Sequence, residues 1–425
     1  MIFQPEFETL ERPALEALQL ERLRDLVDRL RRSNGLYRER LRDVKTPAGL
    51  ADCAALPFST KADMRDTYPL GLLAVPERSL ARIHASSGTT GNPTVGAYTR
   101  GDLAVFGEVM ARSLAAGGIS PGDMFQVAWG YGLFTGGLGA HGGCETLGAC
   151  AIPASAGNTA RQMQLLADLP VIGFGATPSY ALVVAERFRA EGRRPKALAY
   201  AICGAEAWTR EMRAALEESF DVVATNIYGL TEIIGPGVAQ ECLDKRGMHV
   251  QEDHFLPEIV DPKTSVPVAD GERGELVLTT LTREAMPVLR YRTRDLTAID
   301  RERCSCGRTT ARIDWFTGRV DDMLIIRGVN VFPSAVEEAL LRFSELAPNY
   351  RIFVDRPAHG LDQMLVEVEH RSDTTVDDLD ALTDAVGKRL ADTLLVSLTV
   401  RIVAPGTIER IEAGKAKRVI DRRTP

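Results

Sequence analysis

Residues Ser86–Thr94 read Ser-Ser-Gly-Thr-Thr-Gly-Asn-Pro-Thr. Five of the nine carry hydroxyls and two are glycine. Glycine lets a backbone approach a ligand closely, and successive N–H groups with hydroxyl donors can wrap a polyphosphate. The preceding segment, Leu80–Ala85, has the look of a short buried strand. The loop is not a Walker A sequence, because it contains no Gly-Lys-Ser/Thr. A polar turn is the competing reading, since Ser, Thr and Gly also gather in turns. The motifs further along the chain decide between the two.

Downstream, apolar runs alternate with helical patterns. A helix is expected over Arg100–Ala116 and a buried strand over Phe125–Trp129. Runs at Val171–Gly175, Leu198–Cys203 and Val222–Tyr228 are separated by helices over Pro178–Glu191 and Thr209–Ser219. This order calls for an α/β fold, a parallel sheet covered by helices, with ligands at the carboxyl ends of its strands. The Ser86–Thr94 loop, Gly204-Ala205-Glu206 and Tyr228–Glu232 each come after a strand, so they can meet in one crevice. Turns at Asp270-Gly271 and Arg273-Gly274 introduce a more antiparallel region, with a strand over Gly274–Thr280. Near the start, Leu20, Leu23, Val27 and Leu30 share one face of a helix over 13–33, a core face or a dimer surface. Ser59 or Thr60 is placed to cap a helix with Lys61 in its first turn. From Val320 onward the pattern is β-α-β-β-α-β: Val320–Val331, a helix over Pro333–Phe343, Arg351–Asp355, Gln363–His370, a helix over Val376–Leu390, and Leu398–Val403. That order suits a small α+β sandwich.

At 425 residues the chain suits more than one domain. The net charge of −7 argues against nucleic acid or an anionic membrane as the main partner. No apolar run approaches membrane-spanning length, and Met1–Glu11 has no signal-peptide core. Seven cysteines in this length do not form a disulfide pattern, so a soluble cytoplasmic protein is expected.

After the Ser86–Thr94 loop come Tyr228-Gly-Leu-Thr-Glu232, Tyr291-Arg-Thr-Arg-Asp295, Gly318-Arg-Val-Asp-Asp322 and Gly414-Lys-Ala-Lys-Arg418. In that order these motifs resemble those of the AMP-forming adenylating enzymes, which include acyl-CoA synthetases, luciferases and adenylation domains. Within that superfamily, Gly130–His141, Gly157–Gln162 and Leu324–Pro333 look most like the phenylacetate–CoA ligases. The resemblance runs from about Pro57 to the C-terminus.

The resemblance implies a large N-terminal adenylate-forming domain over 1–320 and a small mobile C-terminal domain over 321–425. It implies ATP, Mg²⁺ and CoA as ligands and an aromatic carboxylic acid as substrate, with a homodimer suggested by relatives. Ser86, Ser87, Gly88, Thr89, Thr90 and Gly91 correspond to the phosphate loop. Thr94 stands where the superfamily usually has lysine. Gly204, Ala205 and Glu206 correspond to the segment flanking adenine and the acid. Tyr228 and Gly229 line the nucleotide, Thr231 donates to the α-phosphate, and Glu232 holds Mg²⁺, which prefers hard oxygen ligands. Asp295 accepts from both ribose hydroxyls, and Arg319 reaches ribose or phosphate. A surface ion pair with Arg292 or Arg294 is the alternative for Asp295. Asp321 is the hinge, Gly328 lies on the CoA path, and Lys415 is the lysine of adenylation, with Lys417 as a decoy. Without the resemblance, Lys415 reads as part of a basic tail.

Gly130–Gly143 holds seven glycines with Tyr131 and Phe134 between them. Such a stretch lets a backbone approach an aromatic ligand; a glycine-rich loop held by two core aromatics is the other reading. The resemblance favours an acid pocket of Tyr131, Phe134, Gly136, His141, Gly142 and Gly204. Gly142 replaces an aromatic residue usual in the family, and Cys144 a small residue, which suggests a larger acid if Gly142 lines the pocket.

Cys304-Ser-Cys306 is a close thiolate pair, and Cys242 and His249 lie earlier. Three thiolates and an imidazole suit a closed structural zinc site; inert cysteines are the alternative. His254 competes with His249. Cys53, Cys144, Cys150 and Cys203 read as buried hydrophobes. A carrier protein as acyl acceptor, a non-catalytic nucleotide-binding module and a luciferase-like oxidase are the rival functions.

Overall fold

The structure, a computed structural model, describes the chain apart from residues 34, 87–92, 317, 320–323, 328, 357–360, 373, 375, 377, 411–417 and 424–425. Ser87, Gly88, Thr89, Thr90, Gly91, Asp321, Gly328, Lys415 and Lys417 therefore lie outside the described residues.

The N-terminal helix, Arg12–Ser33, buries Leu23, Leu26, Val27 and Leu30 in the main core, as its 3–4 spacing dictates. The helix Lys61–Asp66 is capped by Thr60, not Ser59, with Asp63 completing a capping box. Ser59 instead bonds to the strand region at Arg290–Arg292 and to the Tyr37 hydroxyl.

The first strands are β1 (Arg82–Ala85) and β2 (Val95–Tyr98), a two-stranded antiparallel hairpin. This corrects the expected buried strand before the phosphate loop. Ile83 is 47 % exposed, and among the described residues β1 pairs only with β2. Residues 86–94 connect β1 to β2 in the sequence.

Next come β3 (Met124–Val127), β4 (Cys150–Ile152), β5 (Val171–Ala176), β6 (Tyr200–Gly204), β7 (Val223–Leu230), β8 (Gly235–Glu241) and β9 (Met248–Val250). β4, β3, β5, β6 and β7 are parallel neighbours joined by helical crossovers. β8 and β9 add antiparallel pairs. β10 (Phe255–Val260), β11 (Gly274–Thr280) and β12 (Tyr291–Thr297) form an antiparallel second sheet. β13 (Ile299–Asp300) and β14 (Arg312–Ile313) rejoin the first sheet, and β15 (Gly318–Arg319) pairs with β12. β16 (Leu324–Ile326) and β17 (Val329–Val331) make a hairpin.

The last unit contains β18 (Leu346–Asp355), β19 (Gln363–His370), β20 (Thr399–Val403) and β21 (Val419–Asp421), in sheet order β20-β19-β18-β21. Helices Pro333–Leu340 and Leu379–Leu394 pack on it around a separate core that includes Val336, Ile352, Val366, Val386 and Leu390. β21 is a strand that the apolar pattern did not mark. Only Val419 and Ile420 are apolar in it, too few for a periodic signal.

A tight crossing fixes the end of β7. A Cβ added to Gly229 would stand 1.8 Å from the Gly235 carbonyl oxygen, so only glycine lets β7 and β8 close there. Gly229→Ala should therefore lower stability by about 3 kcal/mol in urea denaturation, the upper range of overpacking. A loss below about 0.5 kcal/mol, the scale of a neutral surface change, would show that the strands open at no cost.

Candidate active site

The carboxyl ends of β6 and β7 and the facing edge of the second sheet bring four sequence motifs together. Tyr228 lies near the end of β7, and its hydroxyl donates to Asp295 Oδ2 at 2.6 Å. Arg319 of β15 donates to Asp295 Oδ1 at 3.2 Å, because β12 and β15 pair with Asp295 opposite Arg319. Asp295 is 6 % exposed, so it is not a surface ion-pair residue; Tyr228 and Arg319 are among the groups that hold its charge. Arg292 is instead bound to Glu275 at 2.5 Å.

Enclosure of the Tyr228 hydroxyl, reinforced by the Asp295 charge, pushes its pKa well above the ordinary tyrosine value. The Tyr228 ring lies 4.6 Å from the Phe316 ring, tilted by 40°. Tyr291, at the start of β12, is buried near Glu232; burial first and that carboxylate second drive its pKa up as well. Phe316 and the Tyr291 hydroxyl were missed at the sequence level. Tyr291 opens a motif in which the aspartate carries the recognisable chemistry, and Phe316 stands alone without periodicity.

Thr231-Glu232 does not begin a helix. It forms the turn between β7 and β8, where the apolar residues Ile233 and Ile234 are fully buried. The hairpin β1–β2 crosses beside it: a Cβ at Gly96 would meet the Thr231 carbonyl oxygen at 3.1 Å. Segment 86–94 is tied at its ends, with Ser86 N–H donating to the Thr94 carbonyl and Thr94 N–H donating to Ser86 Oγ, at 2.9 and 3.1 Å.

At the end of β6, Gly204 faces the Ile227 carbonyl, which a Cβ would meet at 2.3 Å. Ala205 then adopts φ 76°, a left-handed conformation costly for alanine. This turn sends Glu206 back to the N-terminus of the preceding helix, Pro178–Ala190, where its Oε1 accepts from the Ser179 N–H at 2.7 Å.

The glycine-rich segment is not the expected loop throughout. Thr135–Leu147 is a helix, packed so closely on helix Arg100–Ala116 that Cβ atoms at Gly139 and Gly143 would clash with Phe106 and Met110. Only Gly130–Phe134 remains a loop. Its Leu133 carbonyl accepts from Ala85 N–H at 2.8 Å and lies 3.1 Å from His84 Nδ1, which fastens it to β1. Gly136 lies against Trp129, whose Cβ an added side-chain carbon would meet at 3.2 Å. Tyr131 and His141 meet, hydroxyl to Nδ1, at 3.2 Å, and His141 Nε2 lies 3.2 Å from Glu145. Phe134 caps the helix and is 49 % exposed. Gly142 has open space before its Cα, on the arc shared with Leu138, Glu145 and Thr146.

A second cluster lies at the other end of the first sheet. Cys242, His249, Cys304 and Cys306 place their ligand atoms within 4.8 Å of one another. Cys242 and Cys304 sulfurs are 3.8 Å apart, and Cys306 Sγ lies 3.5 Å from His249 Nε2. Tetrahedral zinc with ~2.3 Å Zn–S and ~2.05 Å Zn–N bonds has edges of about 3.8 and 3.6 Å, so the donor set fits that ion. His249 Nδ1 lies 3.2 Å from the Thr310 carbonyl, which would orient the ring as ligating histidines are oriented. His254 lies apart from this set, 2.8 Å from Thr282 Oγ1 and beside Glu108 and Asp253. Cys53, Cys144 and Cys203 are buried, but Cys150 is exposed, a correction: it opens the edge strand β4.

The family description "AMP-binding enzyme" matches residues 29–282, and "AMP-binding enzyme C-terminal domain" matches residues 328–423. The chain belongs to the AMP-binding enzymes. This AMP-binding enzyme is 49 % identical over 451 residues to a phenylacetate-coenzyme A ligase of Thermus thermophilus, covering 100 % of both chains. It is 45 % identical over 427 residues to the phenylacetate-coenzyme A ligase of Escherichia coli (strain K12), covering 98 % of this chain and 97 % of that one. Among solved structures, 2-hydroxyisobutyryl-CoA ligase in the postadenylation state with R3-HIB-AMP overlays at TM-score 0.91 with 28 % identity, covering 98 % of this chain and 91 % of that one. The same ligase with 2-HIB-AMP and CoA in the thioesterification state overlays at 0.72 with 30 % identity, covering 99 % and 92 %. Among the described residues, no helix is long and apolar enough to cross a membrane.

The Tyr228–Asp295 bond sets a pH dependence. A phenol whose folded pKa is raised contributes stability that is present below the unfolded value near 10 and is lost as pH rises through the folded value. The melting temperature of the wild type relative to Tyr228→Phe should be constant from pH 6 to about 9, then shrink above about pH 10. A difference that persists unchanged to pH 11 goes against an enclosed, Asp295-bound phenol.

Proposed function

We propose that this chain is an ATP-dependent, AMP-forming aryl acid–CoA ligase of the phenylacetate–CoA ligase type. The carrying observation is end-to-end identity of 45–49 % with several phenylacetate-coenzyme A ligases. The meeting of Tyr228, Glu232, Tyr291, Asp295 and Arg319 supports the same reading.

In this reading the large domain, 1–320, binds MgATP and the acid. Segment 86–94 holds the β- and γ-phosphates, Thr231 donates to the α-phosphate, and Glu232 shares Mg²⁺ with phosphate oxygens. Adenine lies against Tyr228 and the Gly204–Glu206 turn. Asp295 exchanges its protein donors for the two ribose hydroxyls, with Arg319 alongside. Tyr131, Phe134, Gly136, His141 and Gly142 belong to the acid subsite and its supporting helix. The acid carboxylate attacks the α-phosphorus in line and pyrophosphate leaves. Lys415 bridges the carboxylate and α-phosphate as charge builds. The domain 321–425 then turns about Asp321, Lys415 withdraws, and CoA enters along Gly328. The thiol attacks the acyl carbonyl, and AMP leaves with the bonding electrons of the anhydride C–O bond. One crevice thereby serves both half-reactions in turn. The cytoplasm supplies ATP and CoA and keeps the cysteines reduced.

Cys242, His249, Cys304 and Cys306 hold zinc in this reading. Four protein ligands close the site to substrate, so its role is structural.

ATP–pyrophosphate exchange across aryl and aliphatic acids, with subsequent CoA addition, tests the function. Exchange with an aryl acid and conversion to a CoA thioester is expected; exchange that proceeds only with a carrier protein would replace CoA as acceptor. Lys415→Ala should slow acyl-AMP formation by about 100-fold, the scale of losing one charge-stabilising donor, while preformed acyl-AMP still yields thioester. Equal loss in both halves would sink that role. Metal analysis of the purified protein should find zinc at one equivalent per chain. Cys306→Ser should lose it and lower the melting temperature by on the order of 5 °C; a metal-free wild type of equal stability would remove the site.

A further inference from the structure

Arg418 lies at the edge of the C-terminal sheet, just before β21, and three residues after Lys415. Its side chain is only 16 % exposed, unusual for an arginine near a chain end. One arm of its guanidinium donates to the Pro348 carbonyl at 2.9 Å. The other lies 3.6 Å from Glu337 Oε1 and 3.7 Å from the Met212 sulfur. The guanidinium carbon stands 4.4 Å over the Tyr350 ring, whose hydroxyl donates to Glu337 Oε2 at 3.1 Å.

These contacts span two parts of the molecule. Pro348, Tyr350 and Glu337 belong to the C-terminal unit. Met212 belongs to helix Arg210–Phe220, which directly follows the Gly204–Glu206 turn of the active site. Glu206 itself lies within electrostatic reach of Arg418, Glu337 and Tyr350. Glu337 is 4 % exposed, and its Oε1 has no hydrogen bond among the described residues. Arg418 is the cation against it. Glu337 from one part and Glu206 from the other both act electrostatically on Arg418, so removing the guanidinium takes away a positive charge that offsets both. Among the described residues, Arg410 pairs with Glu186 across the junction at 3.7 Å, and that pair is more exposed than Arg418.

The placement held by Arg418 is the one that overlays at TM-score 0.91 on the postadenylation-state ligase; the overlay on the thioesterification state is 0.72. Lys415 precedes Arg418 by three residues, and three residues of extended chain span at most about 10 Å, so a fixed Arg418 limits how far Lys415 can range from it. We propose that Arg418 is a positioning residue: it latches the C-terminal unit against the Glu206–Met212 segment and so holds Lys415 in place for acyl-AMP formation, while taking no part in thioester formation. This rests on the ligase reading above.

The test uses the full-length enzyme and separates the half-reactions. Arg418→Met should lower pyrophosphate exchange about tenfold and leave thioester formation from preformed acyl-AMP within about twofold of wild type. Arg418→Lys, which keeps charge but not the two-armed geometry, should fall between. Loss of both half-reactions together, or no loss of exchange, overturns the latch. Arg418→Met strands Glu337, so Arg418→Met/Glu337→Gln serves as the folding control. It should melt like the wild type and retain the exchange defect; recovered exchange would mean that Arg418 only neutralises Glu337, which overturns the proposal. Hydrogen exchange without substrate gives an independent reading. Residues 206–213 should exchange faster in Arg418→Met than in wild type or in the peripheral Glu186→Gln variant. If the wild type activates no acid, the ligase reading fails while this comparison still decides whether Arg418 docks the two parts; unchanged exchange of 206–213 rejects it.

Discussion

The Asp295 carboxylate is the point on which the two large sheets depend for their mutual arrangement at the candidate site. It lies on the second sheet, accepts from Tyr228 of the first, and is paired with Arg319 at the far edge of its own sheet. A buried carboxylate without partners would be costly, so these donors must stay where they are. The same requirement explains why β12 alternates as it does: Thr293 and Asp295 point inward while Arg292 and Arg294 turn toward Glu275. Ligand groups that replace the protein donors on Asp295 would enter a carboxylate already fixed in direction, which favours binding by removing an ordering cost.

Backbone proximity is the second organising constraint. Gly204 and Gly229 each face a carbonyl of a neighbouring strand at distances that exclude a side chain. Their absence of a Cβ lets β6, β7 and β8 crowd together, and the turns beyond them carry Glu206, Thr231 and Glu232. A similar economy of size packs helix Thr135–Leu147 onto helix Arg100–Ala116 through Gly139 and Gly143. The glycines here serve helix contact, not loop flexibility.

Away from the site, the thiolate cluster organises the first residues of the chain. Arg308, two residues beyond Cys306, forms a buried pair with Glu8 at 2.6 Å and donates to the Met1 carbonyl at 2.8 Å. Arg12 pairs with Glu252 at 2.9 Å, and Glu252 also accepts from the Ala311 N–H. The thiolate cluster and the N-terminal arm are thus joined by two separate charged pairs. A metal holding the four ligands would fix the turn that presents Arg308, which links a local coordination site to a contact between distant parts of the sequence.

The sequence by itself determined the alternation of strands and helices from β5 to β7, the α-β-β-α-β order from Pro333 to Val403, and the ordered motifs that identify the family; the run Val320–Val331 is instead a hairpin, β16 and β17, outside the C-terminal sheet. These are encoded in local periodicity and in short contiguous phrases, which need no knowledge of neighbours in space. It also marked Cys242, His249, Cys304 and Cys306, because thiolate and imidazole spacing is chemistry legible in one dimension. Only the tertiary structure decided that β1 belongs to a separate hairpin, that the glycine-rich stretch is largely helix, and that His249, not His254, joins the three thiolates. It alone brought Phe316 to Tyr228, Tyr291 to Glu232 and Arg418 to Met212. Each of these depends on contacts between residues far apart in the chain. Glycine composition and a lone aromatic or arginine carry no period, so their roles are set by what packs against them.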